Sequence, residues 1–231
     1  MRYLLSSLLL RSLRDISPKC ASRPFSSATP VSPPIPPRSP TSNHHDLTSF
    51  LSYAARTSLS PTSTTYVGTH YEYTVLETLR HLSLDLTRIG GRQDLGIDLV
   101  GTWNLPSSPH PLRVIVQCKA LKAKVGPNLI RELEGTFPGA PVGWRGEGVL
   151  GILASTKEAT KGVRDALAKS RYPLMWILAE LDGEIRQALW NRRAGEIGLE
   201  GVNVEVKYTG EGDPHSKALV LTWDGKEIKP S

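Results

Sequence analysis

Apolar residues recur along the chain in blocks whose spacing switches from helical to strand-like. Tyr71, Val75, Leu79 and Leu82 return every three or four positions, which predicts an amphipathic helix over 69–84. Leu86–Ile89 is a short apolar run closed by Gly90-Gly91, and Ile97–Trp103 and Leu112–Ala120 read as two further strands. Asn104–Pro111 between them carries three prolines and two serines, which suits a hairpin connection. A helix is expected over Asn128–Phe137, because Pro127 has the fixed φ of a helix start. Gly148–Ala154 and Leu174–Ala179 are unbroken apolar runs, the pattern of strands covered on both faces. Ser155-Thr156 offer hydroxyl caps for a helix over 157–170. Residues 181–193 read as a helix. Beyond 200, Val202, Val204 and Val206 and then Ala218, Val220 and Leu221 suggest a terminal β-hairpin.

From residue 69 the order is helix, three strands, helix, strand, helix, strand. Early antiparallel pairing followed by alternation predicts an α/β fold, a mixed β-sheet flanked by helices on both faces, with a C-terminal β-hairpin extension. The first 42 residues differ in kind. Residues 1–29 are rich in Arg, Ser and Leu, with Asp15 their single acid, and Leu4, Leu5, Leu8, Leu9 and Leu13 fall at helical spacing beside Arg2, Arg11 and Arg14. A basic amphipathic segment of this kind is expected to direct import into mitochondria, the matrix being the expected compartment. A secretory signal is the rival, but Ser6 and Ser7 break the leucine run and arginines continue to Arg23. Residues 24–42 hold seven of the chain's 18 prolines and cannot form helix or sheet. The organisation expected is a presequence over 1–29 and a Pro/Ser/Thr-rich linker over 30–63, with a short helix at Asp46–Arg56. The main domain then covers 64–195 and the β extension 196–231.

Charge changes the picture only locally. The formal net charge of +6 suggests a polyanion-binding protein, yet residues 1–42 alone carry +5 of it. Within the remainder, residues 110–171 sum to +6, while 43–109 sum to −2 and 172–231 to −3. A composition of 39% hydrophobic residues rules out wholesale disorder, and two cysteines rule out a disulfide scaffold. No run approaches the length of a membrane-spanning helix, so no integral membrane contact is expected.

The sequence lacks a phosphate-binding P-loop, G-x-G-x-x-G, G-x-S-x-G and paired-histidine zinc motifs. What remains is Asp98 followed by Gln117-Cys118-Lys119. Strand alternation puts Gln117 and Lys119 on one face and Cys118 on the other, in the core. Across the inferred hairpin, Asp98 is expected to face the same point. An Asp, an amide oxygen and a Lys form a metal-and-phosphate set. Asp98 and Gln117 are candidate ligands of a hard divalent cation, and Lys119 the group that meets developing charge. Glu72, on the first helix, is a candidate further carboxylate. Asp94, in a glycine-flanked loop, reads as either a second ligand or a turn residue. Glu134 reads as a solvated helix charge. Lys122 and Lys124, just past Lys119, are candidate backbone-phosphate contacts or simply a solvated face.

These segments resemble a known family. Asp94-Leu95-Gly96-Ile97-Asp98-Leu99, followed by Val116-Gln117-Cys118-Lys119, is similar to the core of the Mrr-type restriction-endonuclease-like fold, the PD-(D/E)xK superfamily in its Q-x-K variant. The resemblance extends to Tyr71-Glu72, to Ile130-Arg131-Glu132-Leu133-Glu134-Gly135, and to Leu153-Ala154-Ser155-Thr156 with Ala159-Thr160. Taken with the basic N-terminus and Arg23-Pro24-Phe25-Ser26, which resembles a mitochondrial processing site, the whole chain resembles the fungal mitochondrial family called required for respiratory growth protein 7. The resemblance implies a nuclease using Mg2+ or Mn2+ on nucleic acid, DNA above all. Asp98, Gln117 and Lys119 would be the site core and Glu72 an accessory acid. Gln117 stands where the superfamily usually has a second acid, which removes one negative charge from the site. A binding-only factor of the same fold is therefore the alternative, and a partner-binding subunit of the respiratory or translation machinery the third.

Overall fold

The computed structural model describes residues 43–89, 95–106, 108, 110–208 and 217–230. The presequence, the proline-rich segment, the Gly90-Gly91 turn and Asp94 lie outside the described residues. Helix α1 (Leu47–Arg56) forms where the short helix is expected, because Asp46 and Ser49 cap each other's backbone amides. Its Phe50 is buried against Tyr66 and Tyr73 of helix α2 (Thr64–Arg80). This part of the expected linker is thus docked on the fold. Helix α2 starts five residues before the expected boundary, on the Ser63 hydroxyl, and buries Tyr71, Val75, Leu76 and Leu79. It ends at Arg80 because Leu84 already belongs to the first strand.

Six strands form one sheet in sequence order: β1 (Leu84–Arg88), β2 (Leu99–Trp103), β3 (Leu112–Lys119), β4 (Val149–Ser155), β5 (Leu174–Ala179) and β6 (Ile185–Trp190). β3, β4 and β5 run parallel, and the outer pairs are antiparallel. Parallel neighbours require crossovers, which here are helices α3 (Asn128–Thr136) and α4 (Lys161–Lys169). Every residue of β4 and β5 is buried, as their unbroken apolar runs demand. One face packs Ile130, Leu133, Val163 and Leu167 of α3 and α4 on Ile115 and Leu153. The opposite face packs Tyr71, Val75 and Leu79 of α2 on Leu86, Val114 and Ile152.

The C-terminal residues form a second sheet of β7 (Val202–Tyr208), β8 (Lys217–Trp223) and a short β9 (Lys226–Glu227). Val202 and Leu221 of this sheet, with Ile228 just past β9, join the α2-side cluster with Leu79, Trp103 and Ala188. The extension is therefore part of the core rather than an appendage. The whole is a mixed α/β fold. Among the described residues no helix is long and apolar enough to cross a membrane.

Two expectations are corrected. Residues 181–193 are not a helix: Gly183 turns the chain at positive φ, and Ile185–Trp190 pairs antiparallel with β5. Apolar residues at 185, 188, 189 and 190 fit either period, and the free edge of β5 decides between them. Helix α4 also begins later than expected, on the hydroxyl of Thr160, which accepts from the Val163 amide. Ser155 and Thr156 are spent elsewhere. The Thr156 hydroxyl bonds both the amide and the carbonyl of Leu121, at 3.1 and 2.9 Å.

Candidate active site

The end of β1, the start of β2 and the end of β3 meet at one edge of the large sheet, and most of the expected site residues gather there. Gln117 and Lys119 lie on the α3 face. The Gln117 Nε2 amide donates to Glu132 Oε1 at 3.0 Å, and the Lys119 ammonium to the same oxygen at 2.6 Å. Glu132 reaches them because α3 buries Leu129, Ile130 and Leu133, which leaves position 132 on the rim of the helix nearest the β3 terminus. Lys119 is 26% exposed and Glu132 45% exposed, so this pair is open to solvent.

Gln117 itself is 1% exposed, and its Oε1 has no hydrogen-bond partner. Because Nε2 must face the Glu132 carboxylate, the amide orientation is fixed and the bare oxygen turns away from Glu132. Gly96 covers this side chain at a φ of +83°; a Cβ there would stand 2.9 Å from Gln117 Nε2. A buried amide oxygen without a donor costs free energy in the ligand-free protein, so it fits a cation or a donor brought by a ligand.

Asp98 lies one residue before β2 rather than inside the strand. Its amide bonds the Val116 carbonyl, and its Oδ2 accepts from the Cys118 amide at 2.7 Å. Ile97 and Val100 both pack into the α3-side cluster while Leu99 packs into the other, so the alternation assumed in the sequence breaks at Asp98. The carboxylate is thereby held on the backbone of β3, between the residues that carry Gln117 and Lys119. Glu72 arrives from α2, but its Oε2 is engaged by Arg88 Nε at 2.5 Å, both side chains being 15% exposed. Arg88 also lies over the Tyr73 ring, 5.4 Å from its centroid. Desolvation pushes the Cys118 thiol well above its usual range, and the carboxylates of Asp98 and Glu72 add to the shift. Cys118 is thus a neutral thiol, not a nucleophile. Lys122 and Lys124 are exposed beyond β3, with no ion pair among the described residues. Glu134 is not purely solvated: it accepts from the Ser170 hydroxyl at 2.5 Å.

Glu132 and Arg88 were not singled out in the sequence. Glu132 stands within the Ile130–Gly135 motif, but only the docking of α3 shows that it meets Gln117 and Lys119.

Comparison with known proteins bears on the same residues. Residues 63–110 and 106–208 match the family described as Required for respiratory growth protein 7. The chain belongs to that family. The matched segments contain Glu72, Arg88, Asp98, Gln117, Lys119 and Glu132. A mitochondrial protein of Schizosaccharomyces pombe is 34% identical over 155 residues, which is 65% of this chain and 61% of that protein. Required for respiratory growth protein 7, mitochondrial, of Saccharomyces cerevisiae is 27% identical over 162 residues, 52% of this chain and 66% of that protein. Its namesake in Eremothecium gossypii is 34% identical over 113 residues, 32% of this chain and 47% of that protein. The chain thus spans less than two-thirds of the length of these relatives. No solved structure matches this chain.

Proposed function

We propose that this member of the family is a mitochondrial protein with a restriction-endonuclease-like core of Mrr type, and that its Asp98–Gln117–Lys119 edge acts on the phosphodiester backbone of nucleic acid, DNA in particular. One observation carries the reading: the unpartnered Gln117 Oε1, in a side chain that is 1% exposed and whose Nε2 is held by Glu132. That oxygen suits a hard divalent cation, Mg2+ or Mn2+, which Asp98 and Gln117 would hold. Glu132 orients the Gln117 amide and pairs with Lys119, and Glu72 serves chiefly to anchor Arg88. The cation, when bound, contributes positive charge against phosphoryl oxygen and makes water more acidic. Lys119 meets the charge that builds on the phosphate, and Lys122 and Lys124 contact the backbone on either side. The basic N-terminus and the mitochondrial names of the relatives support the location, with the matrix as the compartment.

A nuclease assay on plasmid, linear duplex, single-stranded DNA and RNA tests the proposal, with Mg2+ or Mn2+ against chelator. Wild type should cleave one of these in a cation-dependent way. Asp98→Asn should abolish cleavage while keeping the circular-dichroism spectrum and most of the DNA binding. Lys122→Ala with Lys124→Ala should lower the salt slope of DNA binding by about one to two. A second reading is favoured by the internal pairing of Lys119 with Glu132 and Arg88 with Glu72: a factor that binds nucleic acid without cutting it. Salt-dependent binding without cleavage supports that reading, and absence of both defeats the two together. Residues 1–45 fused to a fluorescent reporter should enter mitochondria; a cytosolic or secreted reporter would remove the location.

A further inference from the structure

At the opposite edge of the large sheet, where β4 and β5 begin and β6 ends, lies a cavity of about 570 Å3. It is separated from the Asp98 edge by the length of β4, roughly 20 Å for a seven-residue strand. Its lining includes Arg145, Arg171, Arg193 and Tyr172, together with the carboxylates of Glu147 and Glu196. Tyr172 is 37% exposed and rests on buried Phe137, with ring centroids 4.6 Å apart. One side of the cavity is thus a supported aromatic platform. Arg193 is committed to Glu196 at 3.0 Å, but neither Arg145 nor Arg171 has an ion-pair partner among the described residues. The Arg145 Nε–H is bonded to the Ala140 carbonyl, which leaves the terminal nitrogens of its guanidinium to a ligand.

The frame around these groups is rigid. Buried Asn191 donates to the carbonyls of Leu167 and Tyr172 and accepts from the amides of Leu174 and Ala194. It therefore fixes Tyr172 and the helical turn Arg192–Ala194 in one stroke. Arg113 donates to the carbonyls of Gly143 and Glu147 and so holds the loop that carries Arg145. The backbone that carries Tyr172 and the Arg145 loop is therefore in place before a ligand arrives.

We infer that this cavity binds a nucleotide, its base stacked on Tyr172 and its phosphate held by Arg145 and Arg171. Guanidinium forks match phosphate oxygens, and an aromatic face accepts any base. The volume is that of a small-molecule pocket. The ligand's chemistry is shared by a free mononucleotide and by one nucleotide of a strand, and the experiment separates these sources. The inference does not rest on the nuclease reading, because no residue of the Asp98 edge takes part.

The test is calorimetric titration of the full chain with AMP, adenosine, inorganic phosphate and a single-stranded DNA of ten nucleotides. AMP should bind at least about tenfold more tightly than phosphate or adenosine alone. Arg171→Glu and Arg145→Glu, both at exposed positions, should each weaken AMP by about tenfold or more, while Asp98→Asn leaves it within about twofold. If the decanucleotide displaces AMP and loses affinity in Arg171→Glu, the site reads a strand. If it does not displace AMP, the ligand is a free nucleotide. AMP that fails to saturate at about 10 mM, that binds no better than phosphate, or that is indifferent to both arginine variants overturns the inference.

Discussion

Replacing Gln117 by Met asks directly whether the site holds an unfavourable oxygen in readiness for a cation. Methionine keeps the length and apolar stem of the side chain and removes both polar atoms. Two terms compete. Removing an unsatisfied buried oxygen relieves about 1–3 kcal/mol. Losing the Nε2 donation to Glu132 costs about 1.5–3 kcal/mol for a bond to a charged group. The second term is reduced here, because Glu132 is 45% exposed and still holds Lys119 at 2.6 Å. The two nearly cancel, so Gln117→Met should unfold within about 1 kcal/mol of wild type in chelator, although the position is fully buried. In cation the two proteins should diverge. At about ten times its dissociation constant a cation bound only to the folded state adds about 1.4 kcal/mol. That corresponds to roughly 3–6 °C in melting temperature for a protein of this size. Differential scanning calorimetry in EDTA and then in excess Mn2+ measures both effects. A loss above about 2 kcal/mol in EDTA would show that the Gln117 oxygen is stabilised in the free protein. An equal Mn2+ shift in both proteins would remove Gln117 from any cation site.

Three further outcomes are expected. Gly101→Ala would place a Cβ 1.9 Å from the Asp85 carbonyl oxygen, a backbone atom that cannot turn aside; the variant should lose more than about 3 kcal/mol in urea unfolding, and a smaller loss would deny the close approach of β1 and β2. Glu72→Gln leaves Arg88 without its carboxylate at 15% exposure, which should cost about 2 kcal/mol, less than a fully buried pair loses, and Glu72→Gln with Arg88→Met should recover much of it by the same measurement. The raised Cys118 pKa predicts a thiol that, in a Cys20→Ser background at pH 8.5, reacts with a disulfide reagent at least about tenfold more slowly folded than unfolded. Asp98→Asn should speed that reaction by removing a negative neighbour, and equal rates would contradict the burial. The same shift makes the unfolded thiol ionise first, so its contribution to stability falls as pH rises above the unfolded value.

The hydrophobic pattern alone determined the succession of elements from α2 to β5, because a core-facing stripe must repeat every 3.6 residues in a helix and a strand covered on both faces must be apolar throughout. It also marked Asp98, Gln117 and Lys119 as polar exceptions in apolar runs, although Asp98 proves to lie one residue before its strand. It could not settle Ile185–Trp190, whose apolar residues satisfy both periods; hydrogen bonding to β5 made it a strand. Nor could it show that Val202, Leu221 and Ile228 share a core with α2, since pattern marks which residues are buried and not what they are buried against. Three features of the site belong to tertiary structure for the same reason. Glu132 joins Gln117 and Lys119 across the packing of α3, Arg88 takes Glu72 from a neighbouring strand, and Asp98 rests on the Cys118 amide after the alternation fails. Each is a contact between segments 13 to 20 residues apart, and the position of a side chain along its own element does not fix which distant group it meets.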